Sequence, residues 1–343
     1  MVDDEEPPSA PEKDVRFLEL LQEVARAPHY APVVSGSIVG EYRVVGQLGR
    51  GSHGTVYEAV HVIIEKRAAL KVLNPEFSGD PLIVQRFVDE ARAVNRIKHP
   101  NIVDIFGFGE LADGRNYCVM DLLRGATLAQ RLKRSGRLQP DEALHVLSEV
   151  ASALDAAHGA GVVHRDLKPQ NIFLSGEEPQ RVTLLDFGLA RMAGDDRRLR
   201  TGSGVLVGTP AYMSPEQCAG VEVDRRTDIY TLGVVAFELL TGRTPFLGSG
   251  AGPLVAQHLT ATPPRPTELA PDLPAAVDGV FARWLDKEPD ARPGTASAAI
   301  GALAAALEPA STTTQPRDRR AWGAVLVLLA LSVILALWLS NAG

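Results

Sequence analysis

The sequence has little cysteine and no excess of positive charge. Cys118 and Cys218 are the only cysteines among 343 residues, which excludes a disulfide framework and makes a reducing compartment the simplest interpretation. The formal net charge of −7 argues against a nucleic-acid partner, because nucleic-acid-binding domains present a basic surface to phosphates. The hydrophobic share of 45% and the charged share of 22% are ordinary for a globular protein. We therefore expect a folded chain that does not bind nucleic acid.

The first 41 residues form an acidic extension. Residues 1–40 carry eight acidic and three basic side chains, and they lack the basic start and early apolar run of a signal peptide. An acidic, proline-containing tail of this kind is predicted to be disordered. Within it, Val15, Leu18, Leu21 (or Val24) and Ala25 recur at helical spacing, which predicts a short amphipathic helix. That helix either packs on its own domain or binds a partner.

The other end of the sequence has no charged side chain from Ala321 to Gly343. Residues 321–340 are mostly apolar, and at about 1.5 Å per residue a helix there spans roughly 30 Å, the thickness of a bilayer core. Trp322 and Trp338 stand near its two ends, as interfacial aromatic residues do. We therefore predict a transmembrane helix over 321–340. A buried core helix is the alternative, but such helices are seldom apolar all round.

The flanks of this span predict its orientation. Residues 308–320 have the composition of a flexible linker, and they end in three arginines at 317, 319 and 320. The positive-inside rule then places the body before the span in the cytoplasm and residues 341–343 outside a cell (inner) membrane, with no external sensor domain. Ser332 and Ala336 have the small-xxx-small spacing of helix dimers. Residues that face lipid are the favoured interpretation of these two positions, and a homodimer is the alternative.

The segment between the two ends predicts one body with an α+β fold. Strands are predicted at 42–48, 55–63, 68–73, about 103–109 and 116–121, with a helix from Asp80-Pro81 to about Ile97. Later helices are predicted at 127–134, 141–158, 226–241, 274–286 and 295–307. This order indicates a β-rich lobe over 42–123 followed by an α-rich lobe over 124–307.

A glycine-rich segment separates the first two predicted strands. Gly49, Gly51 and Gly54 lie between Leu48 and Val56. Glycines in such a hairpin let backbone N–H groups approach a polyphosphate without obstruction by Cβ atoms. A Gly-x-Gly-x-x-Gly pattern alone is a weak signal, because it also opens dinucleotide-binding units. On this motif alone, two interpretations remain: a phosphate-binding loop and a purely structural hairpin.

Lys71 lies on an apolar predicted strand, where an inward ammonium group needs an anionic partner. Phe87, Ala91 and Val94 mark the apolar face of the following helix, and Glu90 projects from that same face. A carboxylate there is costly unless it is paired. A Lys71–Glu90 pair is therefore predicted, with an exposed lysine beside a solvated glutamate as the alternative.

Two further motifs supply the groups that phosphoryl transfer requires. The string His164-Arg165-Asp166-Leu167-Lys168-Pro169-Gln170-Asn171 is followed by Asp186-Phe187-Gly188. Phosphoryl transfer needs a carboxylate for the attacking hydroxyl, a cation near the γ-phosphate and oxygen ligands for Mg²⁺. These groups are supplied by Asp166, Lys168, Asn171 and Asp186. Chance occurrence of both strings in this order is negligible.

With these motifs the sequence resembles the eukaryotic-like (Hanks-type) protein kinases, most closely their bacterial membrane-anchored Ser/Thr members. The resemblance covers about residues 42–307. It also includes Gly208-Thr209-Pro210, Ser214-Pro215-Glu216, Asp228 and Arg292. It implies a bilobal kinase fold and transfer of the ATP γ-phosphate to Ser/Thr hydroxyls of protein substrates. The implied cofactors are ATP and Mg²⁺, or Mn²⁺ in its place.

The resemblance implies roles for individual residues. Asp166 would orient the substrate hydroxyl, and Lys168 would steady the γ-phosphate. Lys71, held by Glu90, would contact the α- and β-phosphates. The implied Mg²⁺ ligands are Asn171 and Asp186. The ATP site would be lined by Leu48, Gly49, Gly51, Gly54, Val56, Ala69, gatekeeper Met120, hinge residues Asp121 and Leu123, and Leu174. In the family, the counterparts of His164, Asp228 and the Glu216–Arg292 pair are structural.

Substrate type and regulation also follow from the resemblance. Lys168 two residues after Asp166, and Thr209 in the Gly-Thr-Pro segment, resemble Ser/Thr kinases and differ from tyrosine kinases. In the family, an arginine in the place of Arg165 binds an activation-loop phosphate, which a guanidinium holds bidentately. Thr201 and Ser203 are therefore candidate autophosphorylation sites, with ordinary polar loop residues as the alternative.

Three positions depart from the family's usual residues without removing a catalytic group. They are Ser214 in place of alanine, His53 at the tip of the glycine loop and Asp121 in place of a hinge glutamate. A membrane-bound pseudokinase scaffold is one rival function, which the intact catalytic residues disfavour. A kinase-fold enzyme for small molecules is another, and the segments at 208–210 and 214–216 disfavour it, because they build a protein-substrate platform in the family.

Overall fold

The computed structural model describes residues 30–51, 54–78, 81–176, 180–186 and 210–308, without the side chains of residues 76, 82, 83, 86 and 90. The predicted N-terminal helix, the linker from residue 309 on, the predicted transmembrane span and both candidate phosphorylation sites lie outside the described residues. Among the residues that are described, no helix combines the length and the apolar character needed to cross a membrane.

The N-terminal lobe is built on a six-stranded antiparallel sheet. In chain order its elements are β1 (Ile38–Val39), β2 (Tyr42–Arg50), β3 (Gly54–His61), β4 (Arg67–Leu73), the helices α1 (Pro75–Ser78) and α2 (Pro81–Ile97), β5 (Ile105–Glu110) and β6 (Asn116–Met120). The strands lie side by side in the order β1-β2-β3-β4-β6-β5. The central strand β4 pairs with β3 and β6, so both of its edges are satisfied.

The two faces of this sheet carry separate apolar clusters, because successive side chains on a strand point to opposite faces. Leu70 of β4 belongs to one cluster. Ala69 belongs to the other, together with Phe87 and Ala91 of α2. The predicted apolar face of this helix is thus confirmed at both positions. Lys71, two residues after Ala69, faces the side that α2 covers.

The C-terminal lobe is mainly helical. Its elements are β7 (Gly125–Thr127), α3 (Leu128–Ser135), α4 (Pro140–Gly159), β8 (Ile172–Ser175), β9 (Arg181–Leu184), α5 (Pro215–Ala219), α6 (Arg225–Thr241), α7 (Ala251–Thr260), α8 (Pro266–Leu269), α9 (Ala276–Trp284) and α10 (Ala296–Leu307). Helix α6 packs against α4, α9 and α10, and residues all round it are buried. It begins where the Asp224 side chain accepts the Arg226 N–H at 2.8 Å, and it ends at Gly242 in the left-handed conformation.

The predicted helices of this lobe are confirmed, with ends within two residues of the observed ones. The small sheet β7-β8-β9 and the helices α5, α7 and α8 were not predicted. Helix α7 contains Gly252 and Pro253 in its first turn, a composition that favours loops. The predicted strand over 55–63 is wrong at its end. The chain turns after His61, where Glu65 has a φ of +56° and its N–H donates to the His61 carbonyl.

A buried ion pair connects α5 to the segment after α9. The Arg292 side chain is fully buried, and its Nη1 and Nη2 lie 2.8 and 2.9 Å from the two carboxylate oxygens of Glu216. Thr227 donates a further hydrogen bond to Glu216 at 2.6 Å. Burial by itself would raise the pKa of Glu216, but the hydrogen bonds from Arg292 and Thr227 outweigh it and hold the pKa below its ordinary value. The carboxylate is therefore charged at neutral pH.

We expect Arg292→Met to lower the free energy of unfolding at pH 7 by about 3–5 kcal/mol, because it leaves a buried carboxylate without its partner. Urea unfolding followed by circular dichroism measures this loss. The folded-state pKa of Glu216 lies below its ordinary 4.5, so the stabilisation is present above that pH and is lost as the pH falls through the lower value. The difference between wild type and variant should therefore shrink in acid.

The matched control for this prediction is Arg92→Met. Arg92 pairs with Asp89 on α2, and both side chains are more than half exposed, so the expected change is below about 1 kcal/mol. A loss at Arg292 no larger than the loss at Arg92 would contradict a stabilising role for the buried pair.

Candidate active site

Asp228, in the first turn of α6, holds the loop that follows α4. Its side chain is fully buried, and it accepts the backbone N–H groups of His164 and Arg165, each at 2.8 Å. His158 donates from Nε2 to the same carboxylate at 2.7 Å. A buried carboxylate is stable only when it is hydrogen-bonded. These three donors therefore fix the backbone at residues 164 and 165 relative to the core of the lobe.

His158 is a part of this arrangement that no sequence motif singles out. It lies near the end of α4, and its side chain is 5% exposed. Its only signal in the sequence is a polar residue among the small apolar residues that end the helix. That signal does not identify a partner 70 positions away.

The backbone is strained at two positions that border the predicted site. Arg165 has a φ of +63° and Asp186 a φ of +45°, in the left-handed region that residues other than glycine seldom adopt. Such conformations cost about 1–3 kcal/mol each and persist only when surrounding contacts enforce them. At Arg165, the hydrogen bond from its N–H to Asp228 is one of those contacts.

Asp166 follows this strained residue and is contacted by two of the other predicted site residues. Lys168 Nζ donates to Asp166 Oδ2 at 2.7 Å. Asn171 Nδ2 donates to the same oxygen at 3.1 Å and to the backbone carbonyl of Asp166 at 2.8 Å. Asn171 ends the single 3₁₀ turn Pro169–Asn171, which leads into β8. The fold thus brings together a carboxylate, an ammonium group and an amide within one short loop.

Lys71 joins the two lobes through Asp186. Its Nζ lies 2.6 Å from Asp186 Oδ1, and this contact connects β4 to the segment after β9. Burial by itself would lower the pKa of Lys71, but the charge and hydrogen bond of Asp186 outweigh it and raise the pKa. The buried ammonium group therefore stays charged. The Glu90 side chain lies outside the described residues, so the Lys71–Glu90 pair stays a prediction.

His164 is fully buried beneath the site. Its Nε2 donates to the Leu185 carbonyl at 3.2 Å. Burial lowers its pKa, with nearby carboxylates acting in the opposite direction, so the ring is neutral at pH 7. A neutral ring engaged with a backbone carbonyl fits the structural role that the resemblance implies.

The glycine-rich segment is a β-hairpin between β2 and β3. The Gly51 N–H donates to the Gly54 carbonyl at 2.8 Å. A Cβ on Gly54 would lie 2.4 Å from the carbonyl oxygen of Val72 on the neighbouring strand, so only glycine fits there. Gly49 pairs with Val56 across the hairpin. Leu48, at the end of the preceding apolar run, is 52% exposed, and residues 52 and 53 lie outside the described part of the loop.

The remaining predicted ATP-site residues lie on both lobes. Ala69 of β4 pairs with Met120 of β6, and both side chains are buried in the cluster that faces α2. Leu174 of β8 belongs to the core of the C-terminal lobe. Asp121 begins the segment between the lobes, and its N–H donates to the Asp104 carbonyl at 3.1 Å. The Asp121 carbonyl and the peptide groups of Leu123 are therefore the candidate hinge contacts.

Comparison with known proteins agrees with this geometry. Residues 42–300 match the family model of the protein kinase domain. The chain is 44% identical over 289 residues to the serine/threonine-protein kinase Pkn1 of Myxococcus xanthus, covering 82% of this chain and 41% of Pkn1. It is 43% identical over 270 residues to the serine/threonine-protein kinase PknH of Mycobacterium tuberculosis, covering 79% of this chain and 42% of PknH. The chain thus spans less than half the length of these two relatives.

A solved structure extends the comparison to three dimensions. The crystal structure of the PknI kinase domain from Mycobacterium tuberculosis superposes with a TM-score of 0.65 at 32% identity, covering 80% of this chain and 99% of that domain. The predicted order of a β-rich lobe followed by an α-rich lobe is therefore confirmed as the bilobal kinase fold. On the matched family model, the relatives and the described geometry together, the chain belongs to the protein kinase domain family.

Proposed function

We propose that the chain is an ATP-dependent serine/threonine protein kinase that transfers the ATP γ-phosphate to hydroxyls of protein substrates. The observation that carries the proposal is the position of Asp166. Its carboxylate is contacted by Lys168 and Asn171, and the backbone before it is tied to the buried Asp228. The curated relatives are named serine/threonine-protein kinases, which supports the same acceptor class here.

Each group near Asp166 has a specific part in this proposal. Asp166 orients the substrate hydroxyl and accepts its proton. Lys168, whose ammonium already lies 2.7 Å from Asp166, places a positive charge beside the γ-phosphate. Lys71 remains charged while it is buried, which suits it to bind the α- and β-phosphates. Glu90 is proposed to hold Lys71 when Asp186 engages a cation.

Mg²⁺ fits the donor chemistry of Asn171 and Asp186. Both offer oxygen ligands, which Mg²⁺ prefers, and Mg²⁺ sites in proteins commonly use one or two such ligands together with substrate phosphates and water. Asn171 uses Nδ2 for its hydrogen bonds to Asp166, so its Oδ1 is the amide atom suited to a cation. When bound, Mg²⁺ supplies positive charge to the phosphate oxygens during transfer. Mn²⁺ accepts the same ligands.

ATP binding is proposed to use the cleft residues of both lobes. Val56, Ala69 and Leu174 contribute apolar contacts to adenine, with Met120 behind it and the peptide groups of residues 121–123 at its polar edge. Leu48 lines the same site, and the glycine hairpin covers the phosphates. The close approach of Gly54 to the Val72 carbonyl brings the β2–β3 hairpin against β4, the strand that carries Lys71.

We expect Asp166→Asn to lower phosphoryl transfer by about a hundredfold to ten-thousandfold, because the amide cannot accept the hydroxyl proton. The measurement uses full-length protein in detergent with labelled ATP, Mg²⁺ and a generic basic protein, followed by phosphoamino-acid analysis. Label on serine and threonine that disappears in Asp166→Asn supports the proposal. ATP binding without transfer in the wild type would favour a membrane-bound pseudokinase scaffold. Transfer only to small molecules would favour a kinase-fold enzyme for small molecules.

Activation by autophosphorylation is proposed for Thr201 and Ser203. Both precede Gly208 in the sequence, near the basic run Arg197-Arg198-Leu199-Arg200, and Arg165 offers a guanidinium for a phosphate. We expect the double variant Thr201→Ala/Ser203→Ala to lower kcat several-fold after preincubation with ATP. Mass spectrometry locates the phosphate. Unchanged kinetics in the double variant, with phosphate found elsewhere, would sink this proposal.

A membrane location is proposed from residues 321–340, whose sequence matches the length of a bilayer core. The arginines before the span favour a cytoplasmic kinase domain, and pairing through Ser332 and Ala336 stays a prediction. We expect full-length chain expressed in bacteria to stay in the membrane pellet after an alkaline carbonate wash. A variant that ends at Pro316 should enter the soluble fraction. Equal solubility of the two chains would contradict a membrane anchor.

A further inference from the structure

We propose that Gln217 is a positioning residue for Asp166, acting through the backbone of Arg165. This inference rests on the proposed kinase function, because its effect is exerted on the catalytic carboxylate. Gln217 lies in α5, which follows the activation segment in the sequence. Its side-chain Nε2 donates to the backbone carbonyl of Arg165 at 2.7 Å. This bond connects two segments that are 52 positions apart.

The bond acts on the peptide group that directly precedes the Asp166 side chain. The carbonyl of this peptide accepts from Gln217, and its N–H donates to the His164 carbonyl at 2.8 Å. On the other side of Arg165, its own N–H donates to Asp228 at 2.8 Å. A left-handed residue such as Arg165 keeps its conformation only while its contacts enforce it. Asp228 holds the N–H end of this residue, and Gln217 holds the carbonyl end.

The Gln217 side chain is itself oriented by the N-terminal cap of α5. Ser214 is the N-cap, and its hydroxyl accepts the Gln217 N–H at 3.3 Å. In return, Gln217 Oε1 accepts the Ser214 N–H at 3.1 Å, which completes a capping box. Because Oε1 is engaged with Ser214, Nε2 is the end of the amide that reaches Arg165. The backbone N–H of Ser214, a donor that alanine would also provide, thus helps to aim the side chain that contacts the catalytic loop.

The segment around α5 is also held to the core, so that a contact from Gln217 has a rigid support. Arg292 pairs with Glu216, the residue before Gln217. Tyr212 donates from its hydroxyl to Glu238 of α6 at 2.6 Å. His258 of α7 donates from Nε2 to the Ala211 carbonyl at 3.1 Å. If residues 210–219 were displaced, the hydrogen bond from Gln217 would therefore displace the backbone before Asp166 as well.

Gln217→Glu tests this inference with little change in size. The glutamate still accepts the Ser214 N–H, but it has no donor for Arg165 and places a charged oxygen against that carbonyl. We expect kcat for phosphorylation of a basic protein to fall about tenfold, because the loss of this hydrogen bond lets the backbone before Asp166 leave the geometry that transfer requires. The KM for ATP should change less than about twofold, because Lys71 and the glycine hairpin are untouched. The matched control is Ser214→Ala, which removes the cap hydroxyl and leaves the Gln217 amide in place, so kcat should stay within about twofold.

Hydrogen exchange of the loop gives a readout that does not depend on activity. In full-length protein, amides within residues 162–168 should exchange faster in Gln217→Glu than in wild type, and at the wild-type rate in Ser214→Ala. If the wild type transfers no phosphate but this exchange difference is present, the positioning contact stands and the proposed function fails. If the wild type is active while Gln217→Glu keeps both its kcat and its exchange rates, the inference is overturned. A loss of kcat accompanied by an equal loss in Ser214→Ala would overturn it as well.

Discussion

Three hydrogen bonds to the buried carboxylate of Asp228 connect the core of the C-terminal lobe to the backbone before Asp166. The carboxylate has no contact with solvent, so it depends on these donors for its hydrogen bonds. Because two of the donors are backbone N–H groups, the loop cannot move without leaving the carboxylate unsatisfied. Helix α6, most of whose residues are buried, thereby fixes the position of the backbone before Asp166.

A charged contact between Lys71 and Asp186 joins the two lobes at the site. Lys71 is held inside the N-terminal lobe by the alternation of β4, which turns Leu70 and Val72 to one face and Lys71 to the other. An ammonium group in that position requires an anion, and Asp186 provides it at 2.6 Å. Asp186 is itself in a left-handed conformation and is partly exposed. The carboxylate of Asp186 is thus partly exposed while it binds the buried lysine.

The parts of the fold that the sequence predicted are those with a strong local signal. The apolar spacing of Phe87 and Ala91 identified the buried face of α2, because one face of a helix repeats every three to four residues. The apolar run that forms α6 identified the central helix of the C-terminal lobe. The signal was weak where glycine and proline lie inside a helix, as in α7, and where a strand is only three or four residues long, as in β7 and β8. Such short elements form because the surrounding core holds them, and their own residues carry little preference.

The sequence by itself determined the family, the order of the two lobes and the identity of the groups around Asp166, because these depend on which residues occur and in what order. Only the tertiary structure decided which polar groups meet. It paired Asp228 with His158, Lys71 with Asp186 and Gln217 with the carbonyl of Arg165. Each of these contacts joins residues more than fifty positions apart and requires donor and acceptor to come within 2.6 or 2.7 Å of each other. That distance is set by the packing of helices and strands, which no single stretch of sequence contains.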